Sequence, residues 1–512
     1  MKQHRWILLT AFLEGLCVLV IEIAGARGIA PYYGTSLRVW TSQITVTLLF
    51  LALGYALGGR LSQNERPRAL STVFWAAGAW LVCFAFWRVI VLKAASALPG
   101  VGLGSFAAGA ALFGPPLLAL GAVSPLLIQR LQTEKEGGAA AGRIFFTNTL
   151  GGLAGGWLTA LVLIPHIHIQ LILAGTGVAL AVIGSGWAWR NFSLKAGTAV
   201  LPGLLVFLLV LAPRPAKTLT LGQGRATILH SQSTSIGLVQ VLDLEGLGLT
   251  LLVDGITQGG MDRGSGLTMY EFTEYLAYLS WRYHPQAKSA LMLGLGTGLL
   301  AKQLQARGMH VDVAEIEPEM QKMARQYFEL PAEVVVHDAD ARALLARSEQ
   351  RYDLIFLDTF AGENVPWYLT TKEGLALIKS RLNPGGRLLI NSVTEAPQGS
   401  PGLDRLESGL SEAFGEAQVF IDESHESGMK LVNALAVAGS GLKMNDGVGY
   451  PGKTLQVIAE HSAIFVGRGR PVRHNLAACE DDFSDVDYAE APLRMAWRKL
   501  VFEQLGPEIL GD

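Results

Sequence analysis

Apolar runs dominate the N-terminal part of the chain, at 7–26, 41–60, 71–92, 103–129, 144–165, 167–188 and 197–213. Each is long enough to cross bilayer hydrocarbon as a helix, so seven passes are expected and this part of the chain belongs in lipid. Beyond about residue 216 Arg, Lys, Asp and Glu return to ordinary frequency, and the 512-residue chain divides into a membrane part and a water-soluble part. Averages of 50% hydrophobic and 16% charged residues conceal that division. A formal net charge of -2 gives no electrostatic footprint for nucleic acid, which is excluded as a partner. Cys17, Cys83 and Cys479 stand too far apart in sequence for a metal-ligand spacing or a disulfide framework, so no metal site is expected. The first run carries Glu14, Glu22 and Arg27 and precedes further spans, which argues for a retained helix over a cleaved signal peptide.

Gly54/Gly58, Gly151/Gly155 and Gly152/Gly156 are small-residue pairs at the spacing that lets membrane helices approach closely. Pro115, Pro116 and Pro125 are expected to kink or break the fourth run. Glu14 and Glu22, eight residues apart, share one helix face, and a carboxylate in lipid must be paired or line a polar cavity. Both readings stay open for them. His166 and His168 follow Pro165 in a short turn, a head-group position more than a metal site. Basic residues at 2–5, 60–68, 130–143 and 190–195 fall on alternate loops, which puts the N-terminus in the cytoplasm. Seven passes would then deliver the soluble part outside, against the cytosolic cosubstrate inferred below; a re-entrant segment or a missed pass would resolve the conflict.

After Pro213 and Pro215 the pattern changes. Segments 226–231, 237–243 and 249–254 read as short antiparallel strands, and 267–282 as an aromatic-rich helix. From 290 onward strands and helices alternate: strands at 290–294, 311–315, 333–337, 353–358 and 387–392, helices at 298–307, 318–328, 341–348, 371–382 and 403–414, then strands at 417–421 and 431–438. Alternation predicts a parallel sheet covered by helices, with ligands bound beyond the strand C-termini. There lie Gly294, Gly296 and Gly298, which let a backbone pass close to a ligand and also suit an ordinary tight turn. Glu315 ends the second strand, where a carboxylate accepts both hydroxyls of a ribose. Asp340 follows the third and is a candidate acceptor for an adenine amine, and Asp358 ends the fourth on the reaction side. Together they point to a nucleoside-bearing cosubstrate.

Leu291–Gly298, Ala314–Glu317, Asp340-Ala341-Arg342, Tyr352–Asp358, Tyr368–Gly374 and Pro384-Gly385-Gly386 stand in an order that resembles the spermidine synthase family, and more narrowly its bacterial membrane-fused members. Leu252–Gln258 is similar to the Asp-Gly-x-x-Gln segment of that family's small β domain, and Asp481-Asp482-Phe483 to an acidic motif near the C-terminus of fused members. The resemblance implies a multi-pass helical membrane domain (1–216), a small β entry domain with a linking helix (217–285), a Rossmann-like class I methyltransferase-type α/β domain (286–440) and a C-terminal extension (441–512). It also implies a membrane-bound transferase of the aminopropyl type, in which an amine attacks a carbon beside the sulfonium of decarboxylated S-adenosylmethionine or of S-adenosylmethionine itself, and methylthioadenosine leaves. The sulfonium is a cosubstrate; no tightly bound cofactor is expected. By the same likeness Gln258 lies toward the sulfonium, Glu315 holds ribose, Asp340 the adenine and Asp358 the nucleophile. Tyr270 and Glu271 match a Tyr-x-Glu region on the acceptor side. A bacterial inner-membrane location with a cytoplasmic catalytic domain, and a homodimer, are further expectations.

Departures from the pattern bear on the acceptor. Thr297 stands where the family's glycine turn carries Asp, and Ala361 where a second Asp follows the first. Ala361 can neither take a proton nor anchor an ammonium. Glu363, two residues on, is the candidate replacement base, and Asp254, Asp262 and Glu271 are the other acids near the pocket. Gly362, Pro366 and Trp367 either shape a lid or pack a surface loop. With so few carboxylates, and with Arg263 and Arg282 nearby, the acceptor is a small amine or a membrane-borne group such as a lipid head group. Methyl or aminocarboxypropyl transfer, cyclisation or elimination of the donor, and nucleoside sensing without turnover are the alternatives.

Overall fold

The computed structural model describes residues 2–34, 36–63, 68–98, 101–131, 137–192, 218–221, 224–360, 366–395, 399–421, 431–445, 470–472 and 476–481. Two compact units meet in sequence at Lys217/Thr218. The first is helical. Among the described residues five helices are long and apolar enough to cross a membrane: His4–Tyr33, Leu37–Ser62, Gly102–Leu131, Gly137–His166 and Ile169–Arg190. A sixth span expected at 71–92 is a pair, Ala69–Val82 and Trp87–Ser96, bent by 77°. The run at 197–213 lies outside the described residues. Pro115 and Pro116 sit within the helix Val101–Gly121, and the axis is interrupted at Ala122, before the helix Val123–Leu131 that contains Pro125. Phe146, Trp157, Leu161 and Trp189 point outward, each more than 60% exposed, as lipid-facing side chains do.

Glycine governs packing in this unit. A Cβ on Gly151 would lie 1.9 Å from the Phe12 carbonyl oxygen, and one on Gly155 2.4 Å from that of Leu16, so helices Lys2–Tyr33 and Gly137–Leu158 touch backbone to backbone. Gly54 and Gly58 meet Leu118 and Ala122 in the same way. Beside the first seam Glu14 is buried and accepts a hydrogen bond from the Asn148 amide. Among the described residues its partner is thus a neutral amide, and it packs as a hydrogen-bonded polar group.

The second unit starts with a five-stranded sheet in the order β1 (Thr218–Leu221), β2 (Gly224–Ser233), β3 (Leu238–Leu244), β4 (Gly248–Val253), β5 (Ile256–Asp262). The sequence pattern indicates only its middle three strands. β5 escapes because Gly259 and Gly260 break its alternation, although Asp254-Gly255, both at positive φ, is the dipeptide expected between hairpin strands. A register shift opposite Leu251/Leu252 makes a bulge in this hairpin.

A helix, Glu271–Tyr283, leads into an eight-stranded sheet. Its strands are β6 (Ser289–Leu293), β7 (His310–Glu315), β8 (Val335–Asp338), β9 (Tyr352–Leu357), β10 (Leu382–Glu395), β11 (Ala417–Ile421), β12 (Leu431–Ala438) and β13 (Arg470–Pro471), in the order β13-β11-β12-β10-β9-β6-β7-β8. Alternate residues face opposite sides: Ala290 and Met292 pack with the helices Glu271–Tyr283 and Leu299–Ala306, whereas Leu291 and Leu293 pack with Lys372–Ser380 and Pro401–Phe414. The parallel sheet expected from the alternation is present, and the two later strand candidates extend it in the other sense. β8, β7, β6, β9 and β10 are parallel, but β12 runs antiparallel to both β10 and β11. The linker 422–430 is shorter than the dozen or so residues a parallel crossover needs, so β12 returns antiparallel.

Gly151→Leu should lower the thermal stability of the detergent-solubilised protein by several degrees, because overpacking costs about 1–3 kcal/mol. Gly59→Ala, where a Cβ meets nothing within 4 Å, should leave the melting temperature unchanged or raise it.

Candidate active site

In the parallel part of the sheet the chain departs in opposite directions from β6. β7 and β8 lie on one side of it, β9 and β10 on the other. This is the topological switch point at which open α/β sheets bind ligands, beyond the strand C-termini. Register fixes what stands there. Leu293 pairs with Ala314 and with Leu357, so the residues next in sequence, Gly294, Glu315 at the end of β7 and Asp358, stand at one level. Three backbone hydrogen bonds tie these ends together: Gly294 N to the Ala314 carbonyl (2.9 Å), Asp358 N to Leu293 (3.1 Å) and Ala339 N to Glu315 (3.0 Å).

Gly294 has φ +96°, and a Cβ there would lie 2.3 Å from the Asp358 carbonyl oxygen, so no other residue fits. Gly296 and Gly298 also lie at positive φ, and Gly298 caps the helix Leu299–Ala306. That puts the helix N-terminus at the turn, a position suited to receiving an anionic or polar ligand group. The turn is braced from two sides. From β7, Glu315 Oε2 accepts from Leu295 N (3.1 Å) and Oε1 from Glu317 N (2.9 Å). From β5, Gly259 at φ +147° brings its backbone so close to Thr297 that a Cβ would sit 2.9 Å from the threonine methyl. Gln258, the preceding residue, has its carbonyl beside Gly296 and donates its side-chain amide to the Ile256 carbonyl at 3.2 Å.

Glu315 is buried, and burial raises its pKa above the ordinary carboxylate value, with backbone N–H groups of Glu317, Leu295 and Ile316 opposing. Asp340 accepts from Ala343 N at 2.9 Å, capping the helix Ala341–Arg347, and from the Tyr368 hydroxyl at 2.9 Å. Burial of its carboxyl pushes Asp358 up to about 6, while a hydrogen bond from Asn391 Nδ2 (2.9 Å) favours the ionised form. Asn391 is itself oriented by Asn433, whose amide donates to its Oδ1 at 2.9 Å. Sequence reasoning missed this pair. The available signal was Asn391 closing the apolar run Leu388-Leu389-Ile390, one residue past the register partner of Leu357, as Asp358 is one past Leu357 itself.

The site residues read from sequence therefore separate into groups. Gly294, Gly296, Gly298, Gln258, Glu315 and Asp358 are joined by direct contacts, with Asp340 two residues beyond the end of β8. Tyr270 packs on Gly260 of β5, its hydroxyl 3.4 Å from Thr250 Oγ1. Glu271 is exposed and accepts from Tyr275 on its own helix at 3.0 Å. Glu363, with Ala361 and Gly362, lies outside the described residues. Asp254 and Asp262 are turned to local work: Asp254 accepts from Leu238 N, and Asp262 from Ser265 N and Oγ. Arg263 is paired with Asp243 at 2.8 Å, and Arg282 donates to Tyr278 at 2.7 Å. No group of His, Cys, Asp and Glu suited to a metal ion occurs among the described residues.

Residues 290–386 match the family model described as a methyltransferase domain. The eight-stranded unit is a methyltransferase-type fold. Among curated proteins the chain is 34% identical over 132 residues to a probable polyamine aminopropyl transferase of Bifidobacterium longum, covering 25% of this chain and 29% of that one. It is 34% identical over 117 residues to a polyamine aminopropyltransferase of Vibrio vulnificus, covering 22% and 39%. An N-terminal histidine N-methyltransferase of Emericella nidulans is 35% identical over 108 residues, covering 20% and 19%. A solved structure, a probable spermidine synthase from Corynebacterium glutamicum, superposes with TM-score 0.40 and 16% identity over 53% of this chain and 98% of that one. The relationship to the polyamine aminopropyltransferases is thus distant, and the chain spans less than two fifths of the length of the two bacterial relatives first named.

Glu315→Ala orphans Leu295 N and Glu317 N and, on the expectation that this carboxylate holds a ribose, removes the acceptor for its hydroxyls. Loss of charged hydrogen bonds at about 1.5–3 kcal/mol predicts roughly 10–100-fold weaker methylthioadenosine binding by calorimetry.

Proposed function

We propose that this chain is a membrane-bound transferase that uses an adenosylated sulfonium, decarboxylated S-adenosylmethionine or S-adenosylmethionine, and releases methylthioadenosine. The observation that carries the reading is the placement of two carboxylates of different character across one glycine turn. Glu315, bonded to backbone N–H groups, suits the ribose; Asp358, poised near neutrality, suits a base. In the step envisaged an acceptor amine attacks the carbon beside the sulfonium, the carbon–sulfur bond breaks, and its electron pair leaves on sulfur as neutral methylthioadenosine. The proton lost by the amine passes to Asp358, whose amide partner Asn391 holds the carboxylate in place. Asp340 and Tyr368 would face the adenine, Gln258 the sulfonium side, and Tyr270 with Glu271 and Glu363 the acceptor.

The aminopropyl assignment draws on the similarity to polyamine aminopropyltransferases. A second reading, methyl or aminocarboxypropyl transfer from intact S-adenosylmethionine, draws on Thr297. An uncharged residue in the turn does not repel the donor's amino-acid carboxylate. Arg263 and Arg282 lend no support to an anionic head group as acceptor, since both side chains are engaged within the unit. We place the catalytic unit on the cytoplasmic side of a bacterial inner membrane, where such a cosubstrate is made, and a homodimer is compatible with the reading.

Purified full-length protein in detergent should be given each sulfonium in turn with a panel of small amines. Methylthioadenosine as by-product is expected; S-adenosylhomocysteine would replace this reading by methyl transfer, and tight nucleoside binding with neither product would point to sensing.

The rate should rise with pH through about 6 as Asp358 loses its proton. Asp358→Asn should abolish that limb together with most of kcat. Asn391→Ala removes the bond that favours the carboxylate, so the acid limb of its pH–rate profile should move to higher pH. A limb that stays in place would show that another group titrates.

A further inference from the structure

The segment Leu476–Asp481 lies far along the chain from every residue of the site, yet it is fastened to elements that carry the adenine side. Ser408 Oγ donates to the Leu476 carbonyl at 2.6 Å and Arg405 to that of Ala477 at 2.9 Å, both from the helix Pro401–Phe414. Lys372 N donates to the Cys479 carbonyl at 2.9 Å, and Lys372 Nζ pairs with Glu480 at 3.0 Å. The buried Cys479 and Ala478 anchor the segment against the unit.

Asp481 ends this strap and makes the densest set of contacts in it. Its Oδ1 accepts from Arg342 Nη1 (2.8 Å) and from Thr371 Oγ1 (2.8 Å), and its Oδ2 from Arg342 Nη2. Its backbone N–H donates to Glu373 at 3.0 Å. Arg342 Nη1 also donates to the Tyr368 carbonyl at 2.8 Å, and Thr371 Oγ1 lies 3.2 Å from the same carbonyl. Tyr368 turns its hydroxyl to Asp340. Exposed ion pairs as a rule add little, but a bidentate guanidinium–carboxylate pair inside a network is the geometry that holds position.

We propose that Asp481 is a positioning residue for the nucleoside site: by clamping Arg342 and Thr371 it fixes Tyr368 and, through the Tyr368 hydroxyl, the Asp340 carboxylate. This deepens the nucleoside reading above and rests on it. Asp340 is held on one oxygen by its own helix and on the other by Tyr368, so the strap sets the second of its two restraints. The C-terminal part of the chain thereby sets cosubstrate affinity without touching the reacting atoms.

The test is calorimetric titration of methylthioadenosine into full-length protein in detergent, for wild type, Asp481→Ala, Arg342→Ala, the double variant, and the charge exchange Arg342→Asp with Asp481→Arg. Each single variant should bind about tenfold more weakly, and the double variant no more weakly than either, because the two act as one unit. Charge exchange should recover most of the loss. With the sulfonium as substrate, KM should rise by a similar factor while kcat falls by less than about threefold. Binding by Asp481→Ala within about twofold of wild type, additive single effects, or a fall in kcat at constant KM would overturn the proposal. Should Asp481→Ala not fold, Asp481→Asn, which retains an acceptor for Thr371, decides in its place. Wild-type protein that binds no methylthioadenosine overturns the nucleoside reading and this inference together, whereas binding that is indifferent to Asp481 overturns the inference alone.

Discussion

The arrangement beyond the sheet depends on one buried carboxylate that bonds to backbone rather than to a cation. Glu315 leaves β7 and receives N–H groups from Leu295 in the glycine turn and Glu317 in the next loop, so two loops that diverge from neighbouring strands are locked to one side chain. A charge in such a place is costly without partners. Directional donors offset the cost only while the loops keep their shape, and the loops keep it because Gly294 takes a φ that other residues avoid and rests against the Asp358 backbone. The geometry of the turn, the setting of the Glu315 carboxylate and the placement of Asp358 are therefore a single structural problem with one solution.

Glycine meets an unrelated need in the membrane unit. Gly151 and Gly155 permit helix backbones to touch, and the close approach brings the Asn148 amide to Glu14, so a polar side chain is satisfied inside the seam. In water that seam would be held by the hydrophobic effect; in lipid, contact and hydrogen bonding must hold it. The same residue type thus serves packing in one unit and backbone exposure to a ligand in the other. Only neighbouring strands and turns tell the two uses apart.

Much of this was legible because periodicity is local. The boundaries of β6, β7, β9 and β11 and of the helices that follow β7 and β8 fall within a residue or so of those read from the pattern. What was hidden is non-local. Asn391 reaches Asp358 only through the parallel pairing of β9 with β10, and Asn433 reaches Asn391 only because β12 returns antiparallel. No spacing rule links positions 358, 391 and 433. β5 was hidden for a different reason: the glycines that erase its alternation also let it approach Thr297, so the feature that defeats pattern reading is the one that builds the site. Asp481 read as part of a motif without a place, since five strands, β9 to β13, separate it in the chain from its partner Arg342.

Thr297 stands within the glycine turn, and its surroundings decide what that position can hold. The side chain is buried in the turn with its methyl against Gly259, and a residue larger than glycine at 259 would collide with it. An aspartate at 297 would bring a charge to a place already closed by the β5 backbone, where desolvation disfavours it. Threonine fills the same space with a methyl and a hydroxyl and leaves the turn neutral. The electrostatic burden of the site then falls on Glu315, Asp340 and Asp358, each held by a donor of the protein's own. The acceptors beyond the sheet are thus fixed in place by the protein's own donors, while the turn between them carries no charge.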